Sequence, residues 1–265
     1  MMADANATLS YVIPNGVKRM GGKSRKLLAV FAHPDDESFT MGGTLAKYTA
    51  EGAEVILVSA TKGEAGIPGL NAAEAARIRE AELRAAAAEL GVREVRFLGY
   101  LDGALASIDP DQAVARLMEL LRELRPQVII TFGPDGISGH PDHVTVSRWV
   151  TTAFEMMDGE DAPRELYYIA PSLATQQGCG VAASSPSPEG AVGIDVSAYL
   201  EAKVRAMQAH ASQSPPYSGD PAEEARRLAC HEWFVLARSR PPSEKGQDAD
   251  PFTALEGTTG DVGLT

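Results

Sequence analysis

The stretch Lys26-Leu27-Leu28-Ala29-Val30-Phe31-Ala32-His33-Pro34-Asp35-Asp36-Glu37 decides the fold. Its first half is an unbroken apolar run of strand length, without the polar alternation of a half-exposed strand. Such a run suits a strand buried on both faces of a parallel sheet. Its second half turns abruptly polar, which places His33 to Glu37 just beyond the carboxyl end of that strand.

Working outward, strand and helix signals alternate. Met41 to Glu51 has helical spacing and stops at Gly52, a natural C-cap. Glu54 to Ser59 reads as a second buried strand. Asn71 to Leu90 is rich in Ala, Glu and Arg and closes at Gly91, which predicts a strong helix. Val95 to Leu98 reads as a short third strand. Asp109-Pro110 caps a helix running to Leu124, with proline at its first position. Gln127 to Phe132 is a fourth strand and Pro141 to Met157 a helix. Leu166 to Ala170 and Val192 to Val196 read as strands, and Tyr199 to Ala211 as a helix. This order predicts an α/β fold, a Rossmann-like three-layer α/β/α sandwich with a mostly parallel sheet. In such sheets ligands bind at the carboxyl ends of the strands.

The 265 residues are 44% hydrophobic and 23% charged, a globular composition. The expected organisation is a flexible extension over 1–24, a single catalytic domain over 25–239 and a disordered tail over 240–265. Residues 171–190, rich in Ser, Gly, Ala and Pro, read as a lid or a disordered loop. A net charge of -12 argues against nucleic-acid partners and against adsorption to an anionic membrane. The opening MMADANATLSYVIPNG has no apolar core of a signal peptide. Two cysteines, Cys179 and Cys230, exclude a cysteine-rich zinc knuckle. Free thiols and a cytoplasmic location are the expectation.

Three of the five histidines fall in two related phrases. The first is Ala32-His33-Pro34-Asp35-Asp36-Glu37, after the first strand. The second is Gly139-His140-Pro141-Asp142-His143, after the fourth. Catalytic zinc takes three ligands from His, Asp and Glu and keeps a position for water. His33 and Asp36 are spaced so that one turn can aim both at one ion, and His143 supplies a third ligand from the opposite loop. His140 lines the same pocket. Asp35, pointing elsewhere than Asp36, is free to handle a proton. A lone histidine after a strand is more often structural, and an Asp-Asp pair more often decorates a helix N-terminus. Two such phrases at matching strand ends outweigh those readings. Glu37 is either a group that orients a neighbour or an ordinary first-turn carboxylate. His210 reads as a supporting hydrogen-bonding residue and His231 as structural. Gly42-Gly43 could admit a ligand close to the backbone, but no G-x-G-x-x-G follows the first strand.

These phrases resemble the LmbE-like, or PIG-L, family of zinc-dependent N-acetylglucosaminyl deacetylases. The likeness continues through TKGEAG at 61–66, RIREAEL at 77–83, LGYLDG at 98–103 and KVRAMQAHASQ at 203–213. It implies His33, Asp36 and His143 as zinc ligands and Asp35 as general base. It implies His140, as a cation, in the stabilisation of the tetrahedral intermediate. It also implies Arg79 and Asp102 as substrate-binding residues. One departure stands out: Ser138 occupies the position before Gly139 where some members carry a tyrosine. The implied activity is hydrolysis of an N-acyl, chiefly N-acetyl, amide on a small amino-sugar conjugate. Zinc is the implied cofactor, with iron(II) as an alternative that such donors also accept. Competing expectations are an amidase acting on a sugar-linked thiol conjugate or a glycosylated natural product, and a non-catalytic metal- or sugar-binding module.

Overall fold

The computed structural model describes residues 25–170, 191–213 and 218–240. The expected extension at 1–24, the loop at 171–190 and the tail beyond 240 lie outside the described residues.

The elements follow the alternation read from the sequence. They are β1 (Lys26–Phe31), α1 (Asp36–Ala50), β2 (Glu54–Ser59), α2 (Ala72–Glu89), β3 (Glu94–Phe97), α3 (Pro110–Leu124), β4 (Val128–Phe132) and α4 (Pro141–Met156). Then come β5 (Glu165–Ala170), β6 (Ala191–Asp195), α5 (Leu200–Ala209), α6 (Pro221–Ala225) and β7 (His231–Ser239). One seven-stranded sheet runs in the order β3-β2-β1-β4-β5-β7-β6. The first five strands pair in parallel, and β7 inserts antiparallel between β5 and β6. Helices α1, α2 and α5 pack together on one face, and α3 packs on α4. The architecture is the three-layer α/β sandwich expected.

The continuous apolar strands are buried because both faces are covered. Leu27, Leu28, Ala29 and Phe31 of β1 are fully buried, as are Val128, Ile129, Ile130 and Phe132 of β4. The strand order reverses between β1 and β4, since β2 and β3 lie to one side and β5 to the other. That reversal opens a crevice at the carboxyl ends of those two strands. Both His-Pro-Asp phrases begin there.

Helix α1 starts earlier than Met41, where the helical spacing begins. Asp36 to Thr40 form a first turn, and Met41 breaks it with φ −140 and ψ 23. Just past that break the backbone N–H groups of Gly43 and Thr44 are engaged from outside the helix. Glu232 of β7 accepts both, at 3.1 and 2.7 Å. Lys203 Nζ neutralises the same buried carboxylate at 2.6 Å. Gly42 and Gly43 serve this packing rather than a ligand. A Cβ on Gly43 would overlap Val196, and one on Gly42 would press on Lys203.

Strand β7 had no counterpart in the sequence reading. Cys230, just before it, is disulfide-bonded rather than the free thiol expected, and its partner lies outside the described residues. Disulfides persist in oxidising compartments, so the thiols lend no support to a cytoplasmic location. Among the described residues no helix is long and apolar enough to cross a membrane.

Candidate metal centre and active site

The loop after β1 and the loop after β4 meet across the crevice. The ring of Phe132, last residue of β4, stacks flat under His143 with centroids 4.1 Å apart. Phe31, last residue of β1, meets Phe132 edge-on at 5.1 Å. His143 Nδ1 lies 3.1 Å from the carbonyl of Gly136, which only an N–H can satisfy. An N–H therefore sits on Nδ1, and Nε2 faces the crevice.

His33 is fixed in the same way from the other side. Its Nε2 lies 3.1 Å from Asp102 Oδ1 and 3.3 Å from Asp142 Oδ2. Asp142 is itself anchored by the backbone N–H groups of Gly103 at 2.7 Å and Leu105 at 3.2 Å. A carboxylate holding one imidazole nitrogen so that the other faces a metal is a common supporting arrangement. Asp142 was not assigned a role in the sequence reading. Its place inside a His-Pro-Asp-His phrase was the available signal.

Three side chains then converge. His33 Nδ1 is 3.2 Å from His143 Nε2. His143 Nε2 is 3.3 Å from Asp36 Oδ1, and His33 Nδ1 is 3.7 Å from Asp36 Oδ2. Zinc bonds to such donors at about 2.0–2.2 Å in tetrahedral geometry, which sets neighbouring ligand atoms about 3.3 Å apart. The two imidazole nitrogens and Asp36 Oδ1 keep that spacing along two edges, and one ligand atom from each of the three residues lies within 4.8 Å of the others, so these residues fit an ion held between them. A second group, His33, His140 and Asp142, is also within reach of one ion. There, however, the Asp142 oxygens are already taken by Gly103 and Leu105.

The charges of the cluster point the same way. Burial alone would hold the His33 imidazole down. The Asp102 hydrogen bond and the charges of Asp36 and Asp102 overcome that and push it up to about 9. Burial would raise the Asp36 carboxyl, but its hydrogen bond to His143 and the two imidazole charges hold it below the ordinary range. The pocket is therefore built to hold positive charge between these side chains.

Asp35 stands beside this triangle, not in it. Its backbone has φ 111 and ψ −30, a region that L side chains rarely adopt. Its carboxylate accepts from Arg79 Nη2 at 3.1 Å. Burial, and then the charge of Asp36, push this carboxyl up to about 7 against the pull of Arg79.

Arg79, expected to touch substrate, is only 4% exposed. Its guanidinium donates to the Pro34 carbonyl, to the Gly63 carbonyl at 3.3 Å and to Asp35. The TKGEAG loop wraps this group so closely that a Cβ on Gly63 or Gly66 would overlap it. Asp102, also expected at the substrate, spends one oxygen on His33 and the other on the Ala65 N–H at 3.2 Å.

His140 is exposed at the rim. Its Nδ1 accepts the Asp142 backbone N–H at 3.2 Å and caps α4. Partial burial, then the charges of His33 and His143, hold its pKa below the ordinary value. The ring is thus a neutral donor through Nε2, not the cation expected, because an Nδ1 that accepts carries no proton. Ser138 is likewise exposed, in a turn where its N–H donates to the Gly136 carbonyl at 2.7 Å.

Known proteins share this sequence and fold. The family described as PIG-L, GlcNAc-PI de-N-acetylase, matches residues 28–154. A 1D-myo-inositol 2-acetamido-2-deoxy-alpha-D-glucopyranoside deacetylase of Streptomyces griseus subsp. griseus is 35% identical, over 91% of this chain and 92% of its own. Among solved structures, a conserved protein of Thermus thermophilus is 26% identical with TM-score 0.60, covering 83% of this chain and 98% of its own. The N,N'-diacetylchitobiose deacetylase of Pyrococcus horikoshii shares the fold, with TM-score 0.62 at 21% identity over 85% of this chain and 88% of its own. A likeness of that extent to the Streptomyces enzyme, over paired His-Pro-Asp loops that meet at one crevice, places the chain in the PIG-L, or LmbE-like, family of N-acetylglucosaminyl deacetylases.

Proposed function

We propose that this protein hydrolyses the N-acetyl amide of an amino-sugar conjugate, using a zinc ion held by His33, Asp36 and His143. The observation that carries the reading is the convergence of His33 Nδ1, His143 Nε2 and the two Asp36 carboxylate oxygens, at 3.2, 3.3 and 3.7 Å, with Asp35 adjacent to Asp36 in the chain. The family and its amino-sugar substrates supply the reaction class. Two imidazoles and a carboxylate also suit iron(II), so metal analysis of the purified protein decides the ion.

When bound, such an ion polarises a carbonyl and makes water acidic near neutral pH. The chain's own residues then divide the remaining work. Asp35, with a carboxyl near 7, takes a proton from the attacking water and returns it to the leaving amine. The exposed His140 donates from Nε2 to the oxygen that gains negative charge as the carbonyl carbon turns tetrahedral. Ser138 leaves that donor without the tyrosine some members carry. Arg79 acts through Asp35, and Asp102 acts through His33. Both are thus proposed as positioning residues, which revises the direct substrate contact the resemblance implied.

The inositol glycoside named for the relatives is the first compound to test. Chelated protein is reloaded with zinc or iron(II) and incubated with it and with other N-acetylglucosaminides. Amine and acetate should appear in equal amounts and only with metal. Full metal loading with no amine from any N-acetyl sugar would instead support the binding-module reading.

A further inference from the structure

The segment Ala209-His210-Ala211-Ser212-Gln213, leaving α5, supports the active-site loops from behind. His210 is fully buried, and its Nε2 lies 2.8 Å from Glu37 Oε1. Glu37 is fully buried as well. It accepts the Ser38 hydroxyl at 2.6 Å and, through its other oxygen, the Asp35 backbone N–H at 3.1 Å. Ser212 donates its N–H and hydroxyl to the Glu82 carboxylate at 2.7 and 2.6 Å. Gln213 Nε2 reaches the Gly66 carbonyl at 3.4 Å. The segment thereby ties down the start of α1, the helix carrying Arg79 and the loop wrapped around Arg79.

Asp35 needs support of this kind. Its φ of 111 lies where an L side chain is strained, at about 1–3 kcal/mol, and such a residue persists only when its surroundings over-determine it. Its carbonyl accepts from Ser38 and Phe39, and its carboxylate from Arg79. Its N–H is anchored by Glu37. A buried carboxylate needs a charged or strong hydrogen-bonding partner to stay in place. His210 supplies it. His210 Nδ1 meets no partner among the described residues, so the ring's side-chain engagement there is with Glu37.

We infer that His210 and Glu37 form a positioning unit that holds the Asp35 backbone so its carboxylate faces the metal pocket. Neither residue touches substrate. The inference rests on the reading of Asp35 as the proton acceptor.

Kinetics on metal-loaded protein test it. His210→Phe keeps the ring volume and removes the donor. It should lower kcat about 10–100-fold, the range a misplaced reacting group produces, with KM and metal stoichiometry unchanged. His210→Gln restores a donor and should recover most of kcat. Ser212→Ala loosens the same segment without touching the pair, so it should lower the melting temperature and keep kcat. If His210→Phe alone fails to fold, His210→Phe/Glu37→Leu removes the stranded charge together with the unit and should show the same loss. Wild-type kcat in His210→Phe, or in the double variant where the single one does not fold, overturns the inference. So does an equal kcat loss in Ser212→Ala, or a KM or metal content that moves with kcat. Asp35→Asn, run in parallel, separates the two levels. If it is inactive while His210→Phe is fully active, only the positioning unit is wrong. If it keeps turnover, the reading of Asp35 fails and the unit with it.

Discussion

The Nδ1 of His33 lies 3.2 Å from the Nε2 of His143, and the far nitrogen of each ring is already engaged. The Gly136 carbonyl takes the proton of His143, and Asp102 and Asp142 take that of His33. Two imidazole nitrogens and a carboxylate turned towards one another favour positive charge between them, whether a proton or a metal ion. Asp142→Asn should weaken the hold on His33 and lower metal affinity about 10–100-fold, as loss of such outer partners does. Competition against a chromophoric chelator measures this. Unchanged affinity would show that Asp142 serves only the loop at Gly103.

Asp35→Asn should leave metal content and melting temperature near wild type, since asparagine tolerates positive φ. Turnover should fall about 10²–10⁴-fold, the usual contribution of a positioned base. Acetate release under substrate saturation is the measurement, and wild-type rates would remove Asp35 from the chemistry.

Gly63 combines a φ of +67 with contact to the Arg79 guanidinium. Gly63→Ala meets both backbone strain and steric overlap, and should destabilise the protein by about 1–3 kcal/mol. Urea unfolding reads this directly. Turnover should fall as well, because the guanidinium that shifts is the one bound to Asp35. A variant as stable and active as wild type would mean the loop relaxes freely.

His210 carries a pH dependence whose sign follows from its surroundings. Burial lowers its pKa, but the Glu37 hydrogen bond and charge, with Asp35 and Glu82 nearby, raise it overall above 6.5. A histidine raised in the folded state contributes fully below its unfolded value and loses that contribution as pH rises through the folded one. Stability should therefore decline as pH climbs from about 6.5, the ordinary histidine value, and more steeply in wild type than in His210→Gln. Thermal melts across that window compare the two. Parallel curves would exclude a charged His210–Glu37 pair.

Much of this was legible in the sequence, for a physical reason. Strands β1, β2 and β4 announce themselves because burial on both faces demands unbroken apolar runs. The cap at Asp109 marks a helix start through a local bond and accepts from its helix as expected, and Asn71 caps α2 in the same way. Strand β7 escaped because its buried residues, Glu232 and Phe234, alternate with half-exposed ones. One of those two is a carboxylate, whose partners at Gly43, Thr44 and Lys203 no local pattern reveals. The break at Met41 escaped for the same reason. At the site, adjacency within each phrase brought His33, Asp35, Asp36, His140 and His143 into view. The roles of Asp142 and Asp102 at His33 depend on which loops meet in space, and that information is not in either phrase.

Glu37 and its partner His210 are separated by 173 positions along the chain. During synthesis the amino-terminal part of a domain emerges first. A chain made only as far as α4 already carries all three candidate metal ligands but not His210, which braces Asp35 through Glu37. All three candidate metal ligands thus precede in synthesis the histidine that steadies their neighbour, and the site is complete only when the last third of the molecule has closed behind the first loop.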